Sequence, residues 1–172
     1  YWEANMELLA PVPEFNLYEE YWKIYTNSGA LPPEYISENA VVRKSIVSNG
    51  CEVYGEVHNS VLGAGVVIGK GTVVKDSIIM ENTVIGENCV IEKAIIAEDV
   101  VVGHDVTMGI GADVPNKFKP NIYSFGLVTI GERSVIPAKV QIGKNTAISG
   151  VTVDSDYLNG VLESGETLIK AG

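Results

Sequence analysis

The chain is poor in the residues that most site chemistry needs. It holds 2 cysteines and 2 histidines among 172 residues. Cys51 and Cys89 form no CxxC pair and have no histidine at ligand spacing, so the sequence offers no metal set and no redox pair. Each reads as a small buried residue, and such thiols suit a reducing cytosol. Basic residues number 12 against 22 acidic, a net charge of −10, which argues against nucleic acid or an anionic membrane as the main partner. No apolar run approaches the ~18 residues of a membrane span, and no signal-peptide pattern is visible. The chain starts at Tyr1 without a methionine, so a fragment of something longer is expected. Aromatics make up only 8%, too few for a sandwich packed with large rings. No strand–GxGxxG–helix unit occurs. Gly69-Lys70-Gly71-Thr72 and Gly143-Lys144-Asn145-Thr146 invite a phosphate-loop reading, but the full motif needs a glycine at 64 and 138, and both are alanine.

What is present is periodicity. The Ile/Val-Gly steps at Ile68-Gly69, Ile85-Gly86 and Val102-Gly103 stand 17 residues apart (68, 85, 102). Within each block an aliphatic recurs about every six residues, at Ile68, Val74 and Ile79, then Ile85, Ile91 and Ile96. A helical period of 3.6 does not fit these doublets and triplets. A period near 17 built from hexads predicts a coiled parallel solenoid in which each short strand points one aliphatic inward. Gly69, Gly86 and Gly103 are expected at corners, where a turning chain favours a residue without a Cβ. Strict hexads return later at Ile130, Ile136, Ile142 and Ile148.

The flanks and interruptions follow from local composition. Residues 1–10 read as a short helix with Trp2, Met6 and Leu9 on one stripe, ended by Pro11 and Pro13. So short a helix must dock on something: this chain's own solenoid, or a domain that precedes it. Residues 15–25 carry Phe15, Tyr18, Tyr21, Trp22 and Tyr25, a cluster expected to pack as a lid or interface. Residues 26–33 are loop by composition, and the whole segment is placed to cap the first coil. The first coil starts at Ile36; the second, 53–67, has 15 residues and so a tighter corner. Ser45, Ser60, Ser77 and Ala94 occupy one slot in successive coils, a stack of small residues rather than nucleophiles. Residues 109–126 break the pattern with Pro115, Lys117, Phe118, Lys119, Pro120, Tyr123 and Phe125. This is expected to be a loop leaving the solenoid, either packing on a partner domain or forming an anion site. The tail from Asp154 reads as a closing strand or hairpin over the last coil.

Candidate chemistry is sparse. His58, beside the shortened corner, and His104, in a corner turn, are the histidines that a hexapeptide-repeat acyltransferase could use as general base at a cleft between subunits. Both positions also suit plain surface residues. No carboxylate pair stands out from the solvated corner charges, so catalytic, cofactor-binding and metal residues are all expected to be absent, and the residues point to a binding, regulatory or assembly module.

The segments Tyr1-Trp2-Glu3-Ala4-Asn5-Met6-Glu7-Leu8-Leu9, Leu17-Tyr18, Trp22-Lys23-Ile24-Tyr25-Thr26-Asn27 and Pro32-Pro33-Glu34-Tyr35-Ile36, with Phe125-Gly126-Leu127-Val128-Thr129-Ile130, resemble the C-terminal part of bacterial glucose-1-phosphate adenylyltransferase (ADP-glucose pyrophosphorylase). The hexads alone are shared with many acyltransferases and other sugar nucleotidyltransferases; the N-terminal segments are the specific part. The resemblance implies a mainly β fold, a left-handed parallel β-helix of hexapeptide repeats at 34–172. It implies that 1–33 are helix and linker from a missing N-terminal catalytic domain. It further implies a cytoplasmic nucleotidyltransferase parent that makes ADP-glucose and pyrophosphate from ATP and glucose 1-phosphate with Mg²⁺, for glycogen biosynthesis. The family's β-helix serves a homotetramer, or an assembly with a related second subunit, and small anionic metabolite effectors. The catalytic residues belong to the absent domain, so this chain alone is expected to be inactive. Where strongly activated members carry a basic residue ahead of the Ser-x-Gly segment, this chain has Tyr123. Lys117, Lys119 and Arg133 are the substitutes expected to contact an allosteric anion. The alternative is a stand-alone hexapeptide-repeat acyltransferase.

Overall fold

A computed structural model describes residues 1–17, 19–23 and 29–170. Tyr18 and Tyr25 of the aromatic segment, and the first residues of the loop after it, lie outside the described residues.

Strands of two to four residues build three parallel sheets. The first contains Tyr35–Ile36, Glu52–Val53, Val67–Ile68, Val84–Ile85, Val101–Val102 and Val135–Ile136 in spatial order. The second runs from Val41–Arg43 through Glu56–His58, Val73–Lys75, Val90–Glu92, Thr107–Ile110 and Gln141–Gly143 to Val161–Leu162. The third runs from Ile46–Val47 through Val61–Leu62, Ile78–Ile79, Ala94–Ile96, Val128–Ile130 and Thr146–Ser149 to Thr167–Ile169. The chain visits the sheets in turn, so each circuit adds one strand to each, except the last, which adds none to the first sheet. This is the parallel three-sheet solenoid of the left-handed hexapeptide β-helix.

The hexads set the packing. Side chains alternate across a strand, so in Val84–Ile85 the valine faces out and Ile85 is buried. Pairing is in register from coil to coil: Ile68 against Ile85 against Val102 in the first sheet, Val74 against Ile91 against Met108 in the second, Leu62 against Ile79 against Ile96 in the third. Three inward columns therefore fill the core, one per sheet, and all these side chains are buried. Each such aliphatic contributes roughly 1.5–3 kcal/mol by leaving water. Ile130, Ile136, Ile142 and Ile148 continue the columns.

The corner glycines have a different cause from the one expected. Gly69, Gly86 and Gly103 are not in the left-handed region. Their reason is close stacking. A Cβ on Gly86 would stand 2.7 Å from the Gly103 carbonyl carbon, and one on Gly69 would stand 2.5 Å from the Gly86 oxygen. The left-handed turn falls two residues later, at Gly71 (φ +71°), Asn88 (φ +57°) and Asp105 (φ +57°), residue types that tolerate it.

The serine slot forms a hydrogen-bond ladder. Ser45 Oγ accepts from Ser60 N–H (3.1 Å), Ser60 Oγ from Ser77 N–H (3.1 Å), and Ser77 Oγ from Ala94 N–H (3.0 Å). Each hydroxyl donates to the carbonyl two residues before it, on Arg43, His58 and Lys75. Corner amides that the sheets leave unpaired are satisfied by the coil below. Thr72 does the same for Cys89 N–H (2.9 Å) and Thr83 for Val100 N–H (3.3 Å). The shortened second coil is present: Val42 pairs with Val57 and Glu52 with Val67, offsets of 15, while Glu56 pairs with Val73, an offset of 17. The missing pair of residues falls at the Tyr54-Gly55 corner.

The two ends follow expectation in part. The helix α1, Trp2–Glu7, docks on this chain's own third sheet and the corner before it, with Trp2 Nε1 donating to the Asp76 carbonyl at 2.8 Å. The described aromatics beyond it form no lid on this chain: Tyr21 is 98% and Trp22 81% exposed, and Phe15 is exposed as well. Tyr35 and Ile36 at the first coil are consequently left partly open. Of the two alternatives for the tail, closing strands over the last coil are present, and there is no hairpin among the described residues. Val161–Leu162 and Thr167–Ile169 pair in parallel with Gln141–Gly143 and Thr146–Ser149, and buried Tyr157 closes the end with its hydroxyl 2.9 Å from Thr152 Oγ1.

Candidate functional site

The one long interruption of the coils is the excursion at residues 111–127, between the second and third sheets. At the same corner the earlier coils turn with one left-handed residue, Asn59, Asp76 or Lys93. The excursion was expected to leave the solenoid. Instead it folds back on this chain, held by two asparagines. Asn116 is buried. Its Nδ2 donates to the Asn145 carbonyl (2.8 Å) and to Thr167 Oγ1 (3.0 Å), and its Oδ1 accepts from the N–H groups of Phe118 (2.9 Å) and Lys119 (2.8 Å). Asn145 stands at a left-handed corner, φ +54°. It donates to Asp113 Oδ1 (2.5 Å) and the Val114 carbonyl (2.7 Å), and accepts from Gly126 N–H (2.7 Å). Both arms of the excursion are thus tied to one corner.

The three expected anion contacts do not converge. Lys117 and Lys119 project from the turn that Asn116 organises. The Lys117 ammonium pairs with the Glu166 carboxylate. The Lys119 ammonium lies 5.2 Å from the Phe118 ring centroid and makes no ion pair among the described residues. An open depression of about 430 Å³ beside Lys117 is lined by Lys117, Phe118, Glu166, Thr167 and Ile169. Arg133 sits at a different corner, between the third and first sheets, where its N–H donates to the Glu98 carbonyl (2.9 Å) and its side chain reaches the adjacent Glu132 at 3.8 Å.

The other candidates are placed as follows. His58 Nε2 lies 3.0 Å from Glu56 Oε2, and His104 Nδ1 lies 2.7 Å from Asp105 Oδ2. Each imidazole is engaged by a neighbouring carboxylate on the outer surface, His58 on a strand and His104 at a corner. The two phosphate-loop look-alikes are corners: Thr72 Oγ1 donates to the Gly86 carbonyl (2.6 Å) and Thr146 Oγ1 to the Gly143 carbonyl (2.8 Å). Cys51 and Cys89 are buried, their thiols directed at the Gly63 and Gly103 carbonyls. Burial pushes both thiols up from their ordinary range, which keeps them protonated and unreactive. Among the described residues no group of His, Cys, Asp and Glu could hold a metal ion, and no helix is long and apolar enough to cross a membrane. The sequence marks neither asparagine as an anchor: Asn116, in a Pro- and Lys-rich stretch, looks like any solvated loop residue, and Asn145, in Gly143-Lys144-Asn145-Thr146, looks like an ordinary hexad corner.

Stacked hexad columns, hydroxyl ladders and one pinned excursion define a hexapeptide-repeat solenoid protein. More narrowly, the chain belongs to the family described as GlmU-like, C-terminal hexapeptide, whose pattern matches residues 33–130. Over all 172 residues it is 66% identical to glucose-1-phosphate adenylyltransferase of Lachnospira eligens, covering 41% of that protein. It is 46% identical over 172 residues to the enzyme of the same name from Acetivibrio thermocellus, covering 40% of it. The chain therefore spans about 40% of the length of these curated relatives, at their C-terminal end. A solved structure, the acetyltransferase domain of PglB from Neisseria gonorrhoeae, aligns over 83% of this chain and 57% of its own at 16% identity with a TM-score of 0.48, a likeness too loose to bear on chemistry.

Proposed function

We propose that this chain is the C-terminal regulatory and assembly region of a glucose-1-phosphate adenylyltransferase. The observation that carries the reading is the 66% identity to the Lachnospira eligens enzyme across the full 172 residues. On this reading the whole protein makes ADP-glucose and pyrophosphate from ATP and glucose 1-phosphate, with Mg²⁺ on the nucleotide. It works in the cytoplasm, in glycogen biosynthesis. Catalysis belongs to a preceding domain, to which residues 1–33 lead, while residues 34–172 support a homotetramer or an assembly with a related subunit. A pinned, cation-bearing excursion on a rigid scaffold suits a metabolite sensor better than a reaction centre. Lys117 and Lys119 would hold an anionic effector together, with Glu166 released from Lys117 as it binds. Arg133 would act from its own corner, against a separate part of the assembly.

A chimera tests this. The first part of the Lachnospira eligens protein is joined to this chain in place of its own matching region. ADP-glucose formation by the chimera, with none by the 172-residue chain alone, is the expected result. Lys117→Ala with Lys119→Ala is expected to raise the activator concentration needed for half-maximal response, leaving basal activity in place, and Arg133→Ala to do so independently. A chimera that folds and assembles but makes no ADP-glucose would overturn the reading. Acetyl-CoA binding by the chain that disappears with His58→Ala or His104→Ala would favour the acyltransferase instead.

A further inference from the structure

A second cleft, on the other flank of the excursion, carries its own chemistry. It has a volume of about 300 Å³ and lies between α1 and the returning arm of the excursion, walled by Trp2, Ile122, Phe125 and Leu127 over Lys93 and Ile95. A cavity of this size, mostly apolar with a few polar groups, is the usual shape of a small-molecule site. Lys93 is its cation. It stands at the left-handed corner of its coil, φ +54°, half-buried, with its ammonium 5.6 Å from the centroid of the Trp2 ring. Among the described residues it forms no ion pair, although the chain carries −10. Glu3 lines the same cleft yet lies beyond ion-pair distance of it. A half-buried ammonium beside an indole face is a site for an anion that brings apolar surface with it.

Phe125 is the second, independent mark. It holds φ +60°, a conformation that costs a bulky residue on the order of 1–2 kcal/mol, and the residue is 76% exposed. The strain is fixed in place by Gly126 N–H bonding to Asn145. An aromatic held strained and open at the mouth of a cleft with a cation on its floor is arranged for something absent from the chain itself. We propose that this cleft binds a small aromatic anion, a carboxylate or phosphate on a flat apolar body, with Lys93 neutralising the charge and Trp2 and Phe125 covering the ring. The ligand would bridge α1 and the excursion, so that its binding ties the N-terminal segment to the loop. The proposal rests on this chain's own geometry and is independent of the reaction assigned above.

The test uses the 172-residue chain and phenyl phosphate, with inorganic phosphate and phenol as partial probes. The readout is the Trp2 indole N–H resonance, distinguished from Trp22 by Trp22→Phe. Phenyl phosphate is expected to shift it saturably with a Kd of about 1 mM or below, and each partial probe to bind at least about tenfold more weakly. Lys93→Asn, which keeps a residue tolerant of positive φ, is expected to weaken binding about tenfold or more, and Lys93→Arg to retain it. Phe125→Gly is expected to weaken phenyl phosphate but leave the fold intact or firmer, since it relieves the strained backbone. No saturable shift, equal affinity for inorganic phosphate, or unchanged binding in a folded Lys93→Asn variant would each overturn the proposal.

Discussion

The regular coils at 68–110 and the excursion at 111–127 are neighbours on one scaffold, yet they are held by opposite means. In the coils, stability is spread over three inward columns, and every strand is paired above and below by backbone bonds. In the excursion the only buried residues are Asn116 and Gly126, and the arms hang mainly from side-chain amides, with one backbone bond from Lys117 N–H to the Gly165 carbonyl and the Lys117–Glu166 pair beside them. A repeat gains order from redundancy. An irregular loop gains it from a few specific bonds, each of which matters more.

That contrast breaks most sharply under a buried charge. Ile85 is 1% exposed, and Ile85→Asp is expected to cost more than about 4 kcal/mol and to unfold the coils cooperatively. Glu87→Lys, two residues on and exposed, is expected to shift the thermal melt hardly at all. Comparable melts for the two would dissolve the proposed columns. Next in size is Asn116→Ala, expected to cost about 2–4 kcal/mol locally. Limited trypsin digestion should then cut after Lys117 or Lys119 while circular dichroism reports intact coils. Resistance to cutting would mean that the excursion has other anchors.

Gly86→Ala comes third, at about 1–3 kcal/mol, because its Cβ would press on the Gly103 backbone. Asn88→Gly at the left-handed position is expected to change stability by about 1 kcal/mol or less. If the two costs were reversed, turn conformation rather than coil stacking would explain the glycine column. The smallest effect concerns the last coil. The Lys170 ammonium, and after it the Val153 N–H, hold the Asp156 carboxyl below its usual range. A carboxyl lowered by folding stabilises above its unfolded value and loses that contribution as pH falls through its folded value. Wild type should therefore lose more melting temperature than Asp156→Asn when pH is lowered below about 4. Parallel losses would show that this pair contributes nothing.

How much of this was legible follows the same divide. Ile68, Val74, Ile79 and their equivalents announced the columns, because a fixed period is visible in one dimension. The 15-residue second coil and the Ser45-Ser60-Ser77 slot were readable for the same reason, although the ladder direction was not. The glycine column was located correctly and explained wrongly: a sequence marks where a Cβ is forbidden, not whether conformation or a neighbouring coil forbids it. The loop at 111–127 was visible as a break, but its anchors were hidden, because Asn116 and Asn145 are 29 residues apart with no period linking them. Lys117, Lys119 and Arg133 are expected as one set; Lys117 and Lys119 project from one turn, Lys117 toward Glu166 and Lys119 toward the Phe118 ring, whereas Arg133, close in sequence to the excursion's end, turns a different corner. Phe15, Tyr21 and Trp22 are expected to pack as a lid or interface and are exposed on this chain, since aromatic content alone does not say which surface it packs on.

The most direct test of the two-part account is amide hydrogen exchange on the wild-type chain and on Asn116→Ala. The account predicts that protection falls across 113–126 alone, with the strand amides of Val84–Ile85, Val90–Glu92 and Ala94–Ile96 unchanged. Loss of protection throughout the coils would contradict it, because the excursion would then be part of what holds the solenoid together.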